Sequence, residues 1–98
     1  MKNAKSIFKV KYDGSKEWRL NGKLHRDNDL PAVEWADGRK EWFLNGKLHR
    51  DNDLPAIEYT DGTKLWYLNG KKFIEPEYFK ELYKLGKITK EELFVHLI

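Results

Sequence analysis

Leu20–Ala32 reads LNGKLHRDNDLPA, and the same phrase returns unchanged at Leu44–Ala56. A catalytic centre is needed once, whereas a structural unit, or a surface assembled from units, is needed several times. Working outward, Asp13-Gly14, Asp37-Gly38 and Asp61-Gly62 step by 24 residues, and so do Asn21-Gly22, Asn45-Gly46 and Asn69-Gly70. Trp18, Trp42 and Trp66 keep the same step. Between residues 13–36 and 37–60 only five positions differ: Ser15/Arg39, Arg19/Phe43, Val33/Ile57, Trp35/Tyr59 and Ala36/Thr60. A third copy begins as DGTKLWYLNGKK and departs into FIEPEYFKEL. A fixed period of this length marks a repeat architecture.

Asn-Gly and Asp-Gly favour positive φ, and between short runs rich in Trp, Tyr, Phe, Val and Ile they signal hairpins. The pattern predicts short antiparallel strands over 6–12, 15–20, 23–26, 32–36, 39–44, 47–50, 56–60, 63–68 and 71–74. Pro31 and Pro55 cannot donate to a ladder, so each marks a strand edge or start. A two-residue Asn-Gly loop places Leu20 opposite Lys23, Arg19 opposite Leu24, Trp18 opposite His25 and Glu17 opposite Arg26. In the third copy the Glu–Arg pair becomes Leu65 with Ile74, a paired change that supports this register. Across the Asp-Gly turn a two-residue loop would oppose Glu34 and Glu41. A loop one residue longer opposes Glu34 and Lys40, so a bulged turn is expected.

After the third copy, Glu75-Pro76 opens a helix. Phe79, Leu82 and Tyr83 are expected on its buried face, with Gly86 as the stop. Thr89 and Glu92 form a capping box for a last helix over about 90–98, with Ile88 stapled to Leu93 and Leu93, Phe94, Leu97 and Ile98 presented inward. The fold class is therefore mainly β: an antiparallel β-meander of about three 24-residue hairpin repeats, capped by two short C-terminal α-helices. The chain reads as a single domain over 1–98, divided into a first strand (1–12), hairpin repeats (13–74) and a helical cap (75–98). A cap of this kind covers a sheet edge that otherwise invites aggregation; alternatively, the helix pair presents a partner-binding face.

The composition narrows the function. With no cysteine, a disulfide scaffold, a Cys zinc site and a Cys nucleophile are excluded. No apolar run approaches the ~18 residues of a membrane span, and the start lacks a secretory h-region, so a cytoplasmic protein is expected. Residues 1–12 carry four lysines and no acid, while residues 13–60 are mildly acidic, with eight basic and ten acidic side chains.

His25-Arg26-Asp27 and His49-Arg50-Asp51 match the HRD of a kinase loop in letters only. The Asn required five residues after Asp is Ala32 and Ala56, and no Gly-rich phosphate loop accompanies it. The Asp-Asn-Asp runs lack the Gly and Glu of a calcium loop in place, and are expected to accept backbone N–H groups in a turn. His25 and His49 are expected to be structural, since Phe73 replaces them in the third copy. Arg26 and Arg50 are expected to clamp Glu17, Glu41 and carbonyls of the next repeat; a row of guanidinium groups for phosphate or carboxylate is the functional alternative. Arg19, Phe43 and Tyr67 share one register position yet differ, which suggests a solvent-facing contact surface with Leu24, Leu48 and Lys72 opposite.

A hairpin unit with Trp or Tyr ahead of an Asn/Asp-Gly turn resembles MORN-type repeats, closest to the divergent forms in small bacterial and bacteriophage proteins. The resemblance spans about residues 13–74 and rests on Trp18, Trp42 and Trp66 with Gly14, Gly22, Gly38, Gly46, Gly62 and Gly70. It implies an elongated sheet used for scaffolding or binding, without chemistry of its own. The expected function is thus a non-enzymatic protein-binding module, an inhibitor or adaptor of phage or bacterial origin acting on a host protein or defence complex. The expected protein-binding residues are Arg19, Phe43, Tyr67, Arg26, Arg50, Asp27 and Asp51. The alternative is a nucleic-acid-binding protein that grips with Lys2, Lys5, Lys9 and Lys11 and stacks bases on exposed aromatics. No cofactor, metal or membrane is expected, and open sheet edges suit a monomer or a homodimer.

Overall fold

In the first two repeats the strand edge changes partner at the Trp. The Trp18 N–H donates to Ala32 O (2.9 Å), while Trp18 O accepts from the His25 N–H (3.0 Å); Trp42 repeats this with Ala56 O (2.8 Å) and the His49 N–H (3.0 Å). The reason lies one residue further on. In this register Pro31 falls opposite Arg19, and with no N–H it cannot extend the ladder. The remaining edge is left to the Asn-Gly hairpin.

The computed structural model describes residues 5–52 and 54–97. Its strands are β1 (Ile7–Val10), β2 (Lys16–Leu20), β3 (Lys23–Leu24), β4 (Val33–Glu34), β5 (Lys40–Glu41), β6 (Phe43–Leu44), β7 (Lys47–Leu48), β8 (Ile57–Glu58), β9 (Lys64–Leu68) and β10 (Lys71–Phe73), followed by helices α1 (Glu75–Lys84) and α2 (Lys90–Leu97). The main sheet is antiparallel in the order β1-β2-β4-β5-β8-β9-β10, with β3 branching from β2 and β6-β7 forming a separate pair. The Asp-Gly hairpins form the meander, and the first two Asn-Gly hairpins leave it at Trp18 and Trp42. The strands are shorter than the expected spans, and the expected strand 39–44 divides at Trp42.

Both turn registers follow the sequence pattern. Arg19 opposes Leu24 and Leu20 opposes Lys23; Glu34 opposes Lys40. The Asp-Gly loop is a three-residue turn: Gly38 N–H reaches Trp35 O (2.9 Å), Trp35 N–H reaches Arg39 O (2.8 Å), and Gly38 sits at φ +99°. A left-handed glycine after such a turn is a bulge of the expected kind.

Two rows of side chains cross the sheet. Lys16, Glu34, Lys40, Glu58 and Lys64 are direct neighbours in turn, so opposite charges alternate along the Trp side. On the other side run Glu17, Val33, Glu41, Ile57 and Leu65, with Val33 and Ile57 buried.

The helical cap packs on the Trp side. Leu68, Phe73, Tyr78, Phe79, Leu82 and Ile88 form a buried cluster, joined by Trp66 and Leu93. Helix α1 ends on Gly86 (φ +75°), with Lys87 N–H bonded to Leu82 O (2.8 Å) and Gly86 N–H to Tyr83 O (3.0 Å). The capping box is present: Thr89 N–H donates to Glu92 Oε1 (2.9 Å) and Glu92 N–H to Thr89 Oγ1 (3.1 Å). Two expected core residues are misplaced. Tyr83 is exposed and Tyr78 takes its place, while Phe94 faces solvent and, among the described side chains of α2, Leu93 turns toward the cluster. Ile98 and the Leu97 side chain lie outside the described residues.

Candidate functional site

One side of the sheet is sealed by loops and helices; among the described residues the other is bare of them, although Ser15, Glu17, Val33 and Ile57 on it are buried. The sealed side carries Trp18, Trp42 and Trp66, the loop from His25 to Pro31, the described residues of the loop from His49 to Pro55, and the helical cap. There the guanidinium of Arg26 lies 3.6 Å from the Trp18 ring centroid and that of Arg50 lies 3.7 Å from the Trp42 ring centroid. Arg26 Nη1 donates to Pro31 O (3.1 Å) and Glu34 Oε2 (3.3 Å); Arg50 Nη1 donates to Pro55 O (3.1 Å) and Glu58 Oε2 (2.9 Å). The expected Arg26–Glu17 and Arg50–Glu41 pairs do not form, nor do the arginines reach carbonyls of the next repeat. Val33 occupies the edge opposite Glu17, whose side chain points to the bare side.

The clamp between repeats is instead Arg50 with Asp29. Nε donates to Oδ1 (2.9 Å) and Nη2 to Oδ2 (3.3 Å), a two-bond ion pair across the seam. Trp42 Nε1–H donates to Asp29 O (3.1 Å). Asn28 (φ +64°) and Asp29 (φ +56°) are both left-handed, a conformation that Asn and Asp tolerate better than other side-chain-bearing residues.

Asp27 and Asp51 each pair with the histidine of their own repeat while their side chains stay more than half exposed. Asp27 Oδ1 lies 2.9 Å from His25 Nε2, and Asp51 Oδ1 lies 2.9 Å from His49 Nε2. A cleft of about 200 Å³ opens between the two loops, lined by Arg26, Asp29, Trp42, Arg50 and Asn52 among others. Its principal charged groups are engaged with one another, and no metal-holding group of three His, Cys, Asp or Glu occurs among the described residues.

The bare side is built differently. Alternation along β2 and β4 puts residues 15, 17, 19, 33 and 35 on one face, and the contacts bear this out. Lys11 Nζ pairs with Glu17 Oε2 (3.0 Å), and Arg19 Nε donates to Glu17 Oε1 (3.2 Å). Burial pushes the Glu17 carboxyl up, but Lys11 and Arg19 outweigh this and hold it below its usual value. Arg39 lies 4.5 Å from the Trp35 ring centroid and 5.5 Å from that of Tyr59, with Nε 3.7 Å from Glu41 Oε2. Arg39 Nε is buried without a hydrogen-bond partner among the described residues. Arg19 is exposed, whereas Phe43 and Tyr67 are half-buried rather than fully solvent-facing.

Four of the five positions that differ between the first two repeats lie on this bare face: Ser15/Arg39, Arg19/Phe43, Val33/Ile57 and Trp35/Tyr59. The fifth, Ala36/Thr60, sits in the Asp-Gly turns, against Gly14 and Gly38 of the preceding turn. Trp35, Arg39 and Tyr59 belong with Arg19, Phe43 and Tyr67 but were not singled out from the sequence. Applying period-two alternation to the differing positions would have found them.

Of the N-terminal lysines, Lys5 and Lys9 are exposed, Lys11 is paired with Glu17, and Lys2 lies outside the described residues. Among the described residues no helix is long and apolar enough to cross a membrane. Comparison with protein-family models, with curated proteins and with solved structures returns no match.

Proposed function

We propose that the protein is a non-enzymatic protein-binding module whose contact surface is the bare sheet face centred on Arg19, Trp35, Arg39, Phe43, Tyr59 and Tyr67. One observation carries the reading. Two repeats identical elsewhere differ almost solely on the sheet face that no described loop or helix covers, where Arg19 and Trp35 are exposed and Arg39, Phe43 and Tyr59 are half-buried, while Ser15, Val33 and Ile57 are buried. The sealed side must keep the residues that hold its loops and repeats together: Trp42 and Arg50 reach Asp29 of the preceding loop, and Arg26 holds its own loop to Glu34. The bare side is released from that constraint, and it is furnished with the aromatic and Arg side chains that dominate protein interfaces. As the resemblance to MORN-type repeats suggests, the role is that of a small cytoplasmic inhibitor or adaptor of phage or bacterial origin, acting on a host protein or defence complex.

Nucleic-acid binding is the weaker reading. Of the described N-terminal lysines only Lys5 and Lys9 are unpaired, and Arg19 and Arg39 stand beside Glu17 and Glu41, which offset their charge. Capture from host lysate with and without nuclease separates the two. The expected result is a stoichiometric protein that survives nuclease and is lost from the Phe43→Ala/Tyr67→Ala variant, with an unchanged melting curve. Capture indifferent to that double substitution overturns the assignment of the face, and capture abolished by nuclease overturns the protein-binding reading.

A further inference from the structure

β1 occupies the position that β4 and β8 hold in the later repeats, one 24-residue step earlier, yet its polarity is inverted. At the internal seams, Val33 and Ile57 meet Glu17 and Glu41 on the bare side, while Glu34 and Glu58 meet Lys16 and Lys40 on the Trp side. The equivalent residues of β1 are Lys9, in place of the apolar residue, and Val10, in place of the acid. Ile7 stands where Pro31 and Pro55 stand, so β1 runs on and pairs with β2 over four residues, Ile7–Val10. No described element covers its outer edge.

That edge is competent to pair. Lys11 N–H is bonded to Ser15 O (2.8 Å), so antiparallel alternation turns the backbone groups of Ile7 and Lys9 toward β2 as well. Those of Phe8 and Val10 then point outward. The side chains are exposed: Ile7 by 74%, Phe8 by 50% and Val10 by 55%, with Tyr12 fully in solvent. Such an edge is an aggregation hazard unless blunted, and lysines are a usual blunting device.

The charges also decide between occupants. If a second copy paired through β1 in antiparallel fashion, Lys9 would face its own counterpart or Lys11, or Lys5 would face Lys11, in each register that bonds the outward groups of Phe8 and Val10. The like charges argue against that pairing. Another repeat-like strand would place Lys opposite Val10. We propose that β1 receives an extended strand from a partner protein, one alternating acidic and apolar residues. The acid would lie opposite Lys9 and the apolar side chain opposite Val10, beside Phe8 and Tyr12. Main-chain hydrogen bonds supply the attachment and the two rows of side chains supply selectivity.

The test uses the full chain, labelled with nitrogen-15, titrated with a capped six-residue peptide of alternating Val and Glu. A peptide of alternating Val and Lys is the control. The Val-Glu peptide is expected to shift the Phe8 and Val10 amides and slow their exchange, and the Val-Lys peptide is not. Val10→Pro removes one outward N–H at an edge position and is expected to weaken binding by about tenfold with the melting curve retained. Lys9→Glu keeps every backbone group and is expected to reverse the preference between the two peptides. Shifts confined to Trp35, Phe43 and Tyr67, equal response to both peptides, or a dimer that Val10→Pro dissociates would each overturn the proposal.

Discussion

The backbone N–H of Asn45 ends on Nδ1 of His25, 2.9 Å away, and Asn69 repeats the contact with His49 at 3.0 Å. An imidazole nitrogen that accepts carries no proton, so the ring hydrogen sits on Nε2 and is donated to Asp27 or Asp51. Each histidine thus joins the Asn-Gly turn of the next repeat to the loop of its own. The adjacent Gly46 N–H to Leu24 O bond (2.8 Å) completes the joint, and Gly70 to Leu48 O repeats it. Phe73 replaces the histidine in the third copy, where the chain turns into α1 instead of a fourth Asn-Gly hairpin. His25→Phe is therefore expected to cost about 1 kcal/mol in urea unfolding, with faster exchange of the Asn45 amide, because a part-buried hydrogen bond is lost. An unchanged Asn45 exchange rate would count against the joint.

Tyr78 links the cap to the repeats in a second way. It is fully buried, its ring centroid lies 5.3 Å from that of Phe79 and 6.3 Å from that of Phe73, and its hydroxyl donates to Arg50 O (3.3 Å). Tyr78→Phe keeps the ring and should cost about 1 kcal/mol. Tyr78→Ala empties the centre of the cluster and should cost about 3–5 kcal/mol. Calorimetric melting of the two variants tests the separation; equal losses would show that packing at this site does not matter.

The local chemistry of Asn-Gly and Asp-Gly made the hairpin registers readable, down to Glu34 opposite Lys40. Thr89 with Glu92 was readable for the same reason, since a capping box lies within four residues of chain. The branching at Trp18 was not readable. It depends on whether Ala32 or His25 takes each backbone group of Trp18, a competition between segments that period-two alternation does not settle. The Arg26 partner was missed for the same reason, because β4 claims the edge opposite Glu17. Tyr83 was placed by helical spacing alone, and the spacing fits Tyr78 as well. The difference between a sealed and a bare face required knowing on which side the loops and the cap fold.

Acid should weaken the fold through a small set of carboxylates. The Ser15 hydroxyl and N–H hold Asp13 below its ordinary 3.8, the Thr63 N–H and hydroxyl do the same for Asp61, and Glu17 lies below its ordinary 4.5. A depressed folded-state value favours the folded state above the unfolded-state pKa, and the benefit is lost as pH falls through the folded value. Urea midpoints should therefore be insensitive to these groups at neutral pH and fall below about pH 4. Glu17→Gln should flatten that fall, and an unaltered acid slope would remove Glu17 from the account.

The two arginines of the repeated phrase should differ in worth although their sequence contexts are the same. Both stack on a tryptophan and both bond a glutamate and a proline carbonyl, but only Arg50 reaches back to a preceding loop, at Asp29. Its side chain is 10% exposed, against 22% for Arg26. Losing a charged two-bond contact together with a ring contact should make Arg50→Ala cost about 2–4 kcal/mol, and Arg26→Ala about 1–2 kcal/mol. Arg50→Lys should not recover the difference, since an ammonium group cannot match both carboxylate oxygens in a plane. In a double-mutant cycle, Asp29→Asn should couple to Arg50→Ala and be additive with Arg26→Ala. Equal coupling to both arginines would mean that Asp29 acts through the conformation of its loop and not through the ion pair.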